Sequence, residues 1–268
     1  MTETGVRIMG ILNVTPDSFS DGGNFASFEA ALAQAERLIE GGADILDIGG
    51  ESTRPFAAPV SCEEELRRVI PVIEAVRKRN AIPISIDTIK AAVAREALRA
   101  GANIINDTSA LRNDPEMISV VRETCVPVII MHMQGTPADM QIKPQYEDVV
   151  TDVIDFFAER IEWITAQGVA RDRLIIDPGI GFGKTVRHNL LLLKHLEKLS
   201  TFGLPVLLGH SRKRFLGEIA GIPAEAERDS VTAVAAALCL DKMAIVRVHN
   251  VAATRQALRV AAALRKAQ

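Results

Sequence analysis

The sequence predicts an α/β fold, a single (βα)8 TIM barrel over residues 1–268, and three observations carry that prediction. Eight short runs rich in Val, Ile and Leu alternate with longer stretches of helical periodicity. The length of 268 residues is close to the roughly 250 that one eight-unit barrel uses. Polar, Gly-rich motifs begin where nearly every apolar run stops, as in a barrel whose chemistry sits on the loops after its strands. An open doubly wound sheet is the alternative, but it calls for one ligand crevice at a switch point, not a polar motif after almost every strand.

The predicted strands are Arg7–Leu12, Asp44–Ile48, Pro83–Ile86, Asn103–Asn106, Val126–Met131, Arg173–Asp177, Pro205–Gly209 and Ala244–Val248. Their near-continuous apolar character is that of parallel strands covered on both faces. The helices between them supply the cover. After Ser27, the residues Phe28, Ala31, Leu32, Ala35, Leu38 and Ile39 form one stripe, and Gly41 follows as a stop. The second helix opens on a capping box, Ser61 with Glu64, and carries Leu66, Val69, Ile70, Ile73 and Val76 on one face. The fifth shows Val150, Val153, Ile154, Phe157, Ile161 and Ile164, and ends at Gly168.

Composition narrows the function. Hydrophobic residues make up 48% of the chain and aromatics only 4%, so the core is built from Ala, Val, Ile and Leu. Met1–Arg7 carries no apolar signal core and no apolar run approaches a membrane span, so a cytoplasmic protein is expected. Cys62, Cys125 and Cys239 match no metal-ligand spacing and read as buried free thiols. A net charge of −3 argues against a nucleic-acid surface, so any anion site must be a local cluster of Arg and Lys.

The strand-end motifs are Asn13–Gly23, Gly49–Pro55, Asp87-Thr88, Asn106-Asp107, Met131–Gly135, Asp177–Lys184, His210–Phe215 and Arg247–Asn250. Singly, Asp87 or Asn106 could cap the next helix. Together, Asp87, Asn106 and Asp177 on three strand ends need partners, because an unpaired buried polar group costs about 1–3 kcal/mol. A planar heterocycle rich in N–H donors would supply them, since a carboxylate pairs with a guanidine-like edge as it does with Arg. Arg54, Lys213, Arg247, His249 and Asn13 form the complementary set, with Arg54 and Arg247 suited to phosphate oxygens and Asn13 to Mg²⁺. A diphosphate fits that set. Of the three consecutive cations, Lys213 is expected to point inward, and Arg212 and Arg214 to form a solvated face.

Two other signals fail. Gly179–Thr185 resembles a phosphate-binding loop, but Pro178 stands where that motif requires Gly. The five histidines show no metal-ligand spacing; His188 and His195 are expected in solvent, and His132 is given no role.

The ordered motifs ILNVTPDSFSDGG, DIGGESTRP, SIDT, IND, MHMQG, DPGIGFGK, SRKRF and RVHN resemble the bacterial dihydropteroate synthases, from about Ile8 to Arg265. The resemblance implies condensation of 6-hydroxymethyl-7,8-dihydropterin diphosphate with 4-aminobenzoate, with Mg²⁺ as the metal. It implies that Asp87, Asn106, Asp177 and Lys213 hold the pterin with Met131 beside it, and that Asn13, Arg54, Arg247 and His249 hold the diphosphate. Asn13 and Asp21 would serve the metal, and Thr53, Pro55, Phe182 and Ser211 the aminobenzoate. Asp87, Asp177, Lys213 and Arg247 are the expected catalytic groups. Two related readings stand beside this one. A pterin-binding methyltransferase domain would share the acids but not need Arg54, Arg247, His249 and Asn13, and a non-catalytic pterin-binding barrel would lose the first loop or Lys213. The chain departs from the family at Phe56, where many members carry Gly, and at Asn250, often Asp. A ring at Phe56 is expected to crowd sulfonamide inhibitors and weaken their binding. A homodimer through the outer helices of the last barrel units is expected, although the apolar run Val231–Leu240 fits a buried helix equally well.

Overall fold

The computed structural model describes residues 4–15, 23–52, 59–136 and 139–267. Its strands are β1 (Arg7–Asn13), β2 (Ile45–Gly49), β3 (Ile84–Asp87), β4 (Ile104–Asp107), β5 (Val128–Met131), β6 (Leu174–Asp177), β7 (Leu207–Leu208) and β8 (Ile245–Val248). They pair in parallel in the order β6-β5-β4-β3-β2-β1-β8-β7. The two ends meet through an Ile176–Val206 bridge and the Ile176 N–H donating to the Pro205 carbonyl at 3.0 Å. The result is a nearly closed barrel. The expected Pro205–Gly209 strand shrinks to the two paired residues Leu207 and Leu208 with a single bridge at Val206; Pro205 has no N–H to donate.

Between the strands lie α1 (Gly23–Glu40), α2 (Cys62–Arg79), α3 (Ala91–Ala100), α4 (Met117–Thr124), α5 (Val149–Ala166) and α6 (Val186–Lys194). Two helices, α7 (Arg214–Ala220) and α8 (Asp229–Leu238), join β7 to β8, and α9 (Val251–Lys266) follows. The first helix begins at Gly23 rather than after Ser27, since Asn24-Phe25-Ala26 contains no residue that stops a helix. Ser61 caps α2, accepting from the Glu64 N–H at 3.2 Å. The reciprocal half of the expected capping box does not form, because the Glu64 carboxylate turns to Arg68 at 2.7 Å and to Arg67. Helix α5 has a cap the sequence reading passed over, Asp148 Oδ1, which accepts from Val150 and Thr151.

The strand pleat explains why the site lies where it does. Met9, Ile45, Ile104, Ile129, Ile175, Leu207 and Ile245 form a buried cluster inside the barrel. Alternation sends residue i+2 to the same face, so the next inward positions are Ile11, Asp47, Asn106, Met131, Asp177, Gly209 and Arg247. The intervening residues, among them Leu46, Ile48, Ile84, Ile86, Ile105, Val128, Ile130, Leu174 and Ile176, face outward and join the helix stripes in the main core. An apolar floor thus supports a polar layer one pleat repeat higher.

Among the described residues no helix is long and apolar enough to cross a membrane. All three cysteines are free, but only Cys239 is buried. Cys62 is half-buried at the start of α2, and Cys125 is exposed and caps α4 in the left-handed region.

Candidate active site

A cavity of about 840 Å³ opens at the C-terminal ends of the strands, with Asn13, Asp87, Ser211, Lys213, Arg247 and His249 in its walls. These come from β1, β3, the loop after β7, and β8 with its following loop. Asn106, Met131 and Asp177, from the ends of β4, β5 and β6, are buried. Among the expected residues, Asp21, Thr53, Arg54 and Pro55, and with them Phe56, lie outside the described residues.

Arg247 is the centre of the polar layer. Its Nε donates to Asp47 Oδ2 at 2.5 Å and its Nη2 to Asp87 Oδ2 at 2.6 Å. Asn106 Nδ2 donates to the same Asp47 oxygen at 3.2 Å. A chain Asp87–Arg247–Asp47–Asn106 therefore links β3, β8, β2 and β4. Asp47 was missed in the sequence, where it reads as one residue of the apolar run DILDI. Its signal was available, because it lies two residues after Ile45 on the inward face and a charge there must be paired. The chain also joins the two halves that the sequence separates, since Arg247, expected on the diphosphate, is held by the acids of the pterin side.

Burial sets the protonation of the acids. The Asp87 carboxyl is pushed up to about 7 by desolvation, which outweighs the pull of Arg247 and is helped by Asp47, Glu65 and Asp107. Asp177 is pushed up to about 6 by burial, against the Gly179 N–H, Arg247, Lys213 and Lys184; the Gly179 N–H donates to its Oδ1 at 2.8 Å. Both acids change charge near neutrality, which is unusual for aspartate and typical of functional sites.

Lys213 points inward as expected. Its Nζ stands 4.0 Å from the centroid of Phe182, and burial and Arg247 lower its ammonium to about 8 while Asp177 opposes them. Its stem crosses Gly181, where φ is +84° and an added Cβ would stand 2.9 Å from Lys213 Cδ. Phe182 packs with Met131, Met133 and Met140. His249 is held neutral, its ring lowered to about 3 by burial and by Arg212, Arg247 and Lys213. The Ser211 hydroxyl lies 2.8 Å from His249 Nδ1 and accepts from the His249 N–H at 3.1 Å. With Ser211 donating to Nδ1, the imidazole presents Nε2–H to a ligand.

The structure revises several expectations. Arg212 is not part of a solvated face: it forks onto Asp229 at 2.6 and 2.8 Å and fixes the turn before α7. Arg214 is exposed and pairs with Glu218, as expected. His188 is half-buried, with its ring edge to face against Tyr146 and its Nδ1 accepting from the Thr185 N–H. His195 is half-buried as well, beside Glu197. His132 is buried, and its Nδ1 meets the Nζ of Lys184 at 2.9 Å. Lys184 itself was set aside with the failed phosphate-loop motif, yet it is buried and lines the cavity.

A barrel with an acid-and-amide floor under a cationic rim is a site for a small, N–H-rich anionic ligand, and comparison with known proteins agrees. Residues 9–249 match the family model described as pterin binding enzyme, and the chain belongs to that family. It is 47% identical over 261 residues to the dihydropteroate synthase of Synechocystis, covering 96% of this chain and 89% of the relative. To the dihydropteroate synthase of Escherichia coli it is 46% identical over 254 residues, 95% of this chain and 90% of the relative. Among solved structures, the Xanthomonas albilineans dihydropteroate synthase with 4-aminobenzoic acid superposes at a TM-score of 0.93 with 49% identity, over 98% of this chain and 94% of that one. The same enzyme in complex with 7,8-dihydropteroate superposes at 0.90 with 46% identity, over 100% and 97%.

Proposed function

We propose that the chain acts as a dihydropteroate synthase, joining 6-hydroxymethyl-7,8-dihydropterin diphosphate to 4-aminobenzoate in folate biosynthesis. The observation that carries this reading is the hydrogen-bonded chain Asp87–Arg247–Asp47–Asn106 at the base of the cavity, with Asp177 facing Arg247 and Lys213. Asp87, Asn106 and Asp177 accept the N–H edge of the pterin, and Lys213 and Met131 bound its face.

In the reaction the bond between the pterin methylene carbon and the diphosphate oxygen breaks, and its electron pair leaves with the diphosphate. The positive charge left on the pterin is met by Asp87 and Asp177, in a site where water does not screen them. Arg247 and the Nε2–H of His249 donate to the departing oxygens. The aromatic amine nitrogen then bonds to the methylene carbon and releases one proton to solvent. Positioning and electrostatics suffice, and no strong base is required.

Magnesium is part of the proposal. Asn13, at the end of β1 and on the cavity wall, offers an amide oxygen. Mg²⁺ takes one or two protein oxygens and completes its shell with phosphate and water, so Asn13 fits it without a dense ligand cluster. Bound there with the diphosphate, the ion would neutralise leaving-group charge. Asp21, the second proposed ligand, lies outside the described residues.

The chain is proposed to work as a homodimer in the cytoplasm. Val234 and Leu238 on α8 and Val260 and Leu264 on α9 leave more than half of each side chain exposed, four residues apart on adjacent helices. An apolar patch of this kind supports self-association, and an exposed free thiol at Cys125 suits a reducing compartment.

One assay tests the activity: diphosphate release from the pterin substrate, measured with and without 4-aminobenzoate. Release that depends on the amine and yields dihydropteroate supports the reading. A bound pterin with no amine-dependent release would favour a binding-only barrel.

A further inference from the structure

Lys184 is unused by the reaction as described, and its surroundings call for an explanation. An ammonium has three N–H donors and no acceptor. Lys184 Nζ meets three acceptors: the Phe182 carbonyl at 2.9 Å, His132 Nδ1 at 2.9 Å and the His132 carbonyl at 3.4 Å. Two come from the end of β5 and one from the loop after β6, so a single cation ties two loops that border the cavity. With Lys184 as the ammonium, which only donates, His132 Nδ1 accepts and the imidazole proton sits on Nε2. Burial together with Lys184 and Arg112 lowers the His132 ring to about 2.

We propose that Lys184 is a positioning residue for the reaction: by clamping the Phe182 and His132 backbone it sets the Phe182 ring against Lys213, and it holds a positive charge near Asp177. The bonded carbonyl and the ring belong to the same residue, so a shift of one moves the other, and the ring lies 4.0 Å from Lys213 Nζ. The groups facing Asp177 are Arg247 from β8, Lys213 from the turn before α7, and Lys184 and the Gly179 N–H from its own loop. Those facing Lys184 are Asp177, Lys213, His132 and, from α6, His188. Burial lowers Lys184 itself to about 7 and Asp177 opposes that shift, so its charge and that of Asp177 support each other.

The proposal rests on the activity proposed above, and its test separates the two. With wild-type enzyme active in the diphosphate-release assay, Lys184→Met and Lys184→Arg are compared by the pH profile of kcat/KM for the pterin substrate and by KM for 4-aminobenzoate. Loss of a nearby cation raises the pKa of a carboxylate, so Lys184→Met should move the acid limb upward by about half to one pH unit and raise the amine KM several-fold. Lys184→Arg keeps the charge and should leave the acid limb in place. A folded Lys184→Met with wild-type limb and KM overturns the role while leaving the activity intact. Should Lys184→Met not fold, ¹⁵N-imidazole NMR of the wild type decides. At pH 6, with Lys184 charged, His132 should carry its proton on Nε2 with Nδ1 accepting from Lys184, and a proton on Nδ1 would overturn the clamp.

Discussion

The two layers inside the barrel differ in chemistry although they share strands and face. Ile45, Ile104, Ile175 and Ile245 lie in the lower one, and Asp47, Asn106, Asp177 and Arg247 stand two residues further along the same four strands. Asp47, Asn106 and Asp177 are as buried as the isoleucines below them and Arg247 is half-buried, so burial alone does not separate structure from function. The lower residues need only volume. The upper ones need one another, and the ion pairs from Arg247 to Asp47 and Asp87 show the need met. The chain Asp87–Arg247–Asp47–Asn106 is thus stable as a set and intolerant of the loss of a linking member, whereas the apolar layer should lose stability without losing chemistry.

The largest expected effect falls in the upper layer. Asp177→Ala should abolish turnover with little unfolding, because its hydrogen bond is to the Gly179 N–H of its own loop and Arg247 keeps Asp47 and Asp87; turnover at the wild-type rate in that variant would remove Asp177 from the mechanism. Asp47→Ala tests the set itself. It leaves Arg247 with one of two partners in a buried site, and breaking such a pair costs about 3–5 kcal/mol; chemical denaturation should show a loss of this size together with reduced activity. In the lower layer, Ile129→Ala should cost about 2–5 kcal/mol while kcat/KM at 25 °C stays near wild type, and a severe loss of activity in folded protein would erase the distinction between layers.

A pH profile sharpens the comparison without mutation. Pterin recognition uses Asp87 and Asp177 as carboxylates, at about 7 and about 6, and Lys213 as an ammonium at about 8. kcat/KM for the pterin substrate should fall as pH drops through 7 to 6 and again as it rises through 8. A profile flat from pH 5 to 9 would contradict the assignment. Stability should move differently. Both acids have folded values raised above the ordinary 3.8, so the native state holds more protons than the unfolded one between about pH 4 and 7, and stability from these groups declines as pH rises through that window. The smallest effect concerns Phe56, outside the described residues: Phe56→Gly should tighten sulfonamide inhibition modestly, and unchanged inhibition constants would dismiss the idea that the ring crowds the inhibitor.

The alternation of strands and helices, the eight strand ends and the inward Lys213 were legible because each follows from local periodicity or from a polar residue at the edge of an apolar run. Asp47 was not, since a charge inside DILDI is informative only once the strand's inward face is known. Lys184 was obscured in another way: its motif was weighed as a nucleotide loop, whereas its partners His132 and Phe182 converge on it through the ends of two different strands. Arg212 was misjudged because Asp229, its partner, is 17 residues away in the chain.

The sequence by itself therefore determined the barrel, the order of its units and the residue types around its mouth, since side-chain periodicity and strand-end chemistry are local properties. Only the tertiary structure decided which charges neutralise which, that Arg247 binds acids of the pterin side, and that the acids titrate near neutrality. Pairing and desolvation depend on distances between residues up to 200 positions apart, and no local pattern encodes those distances.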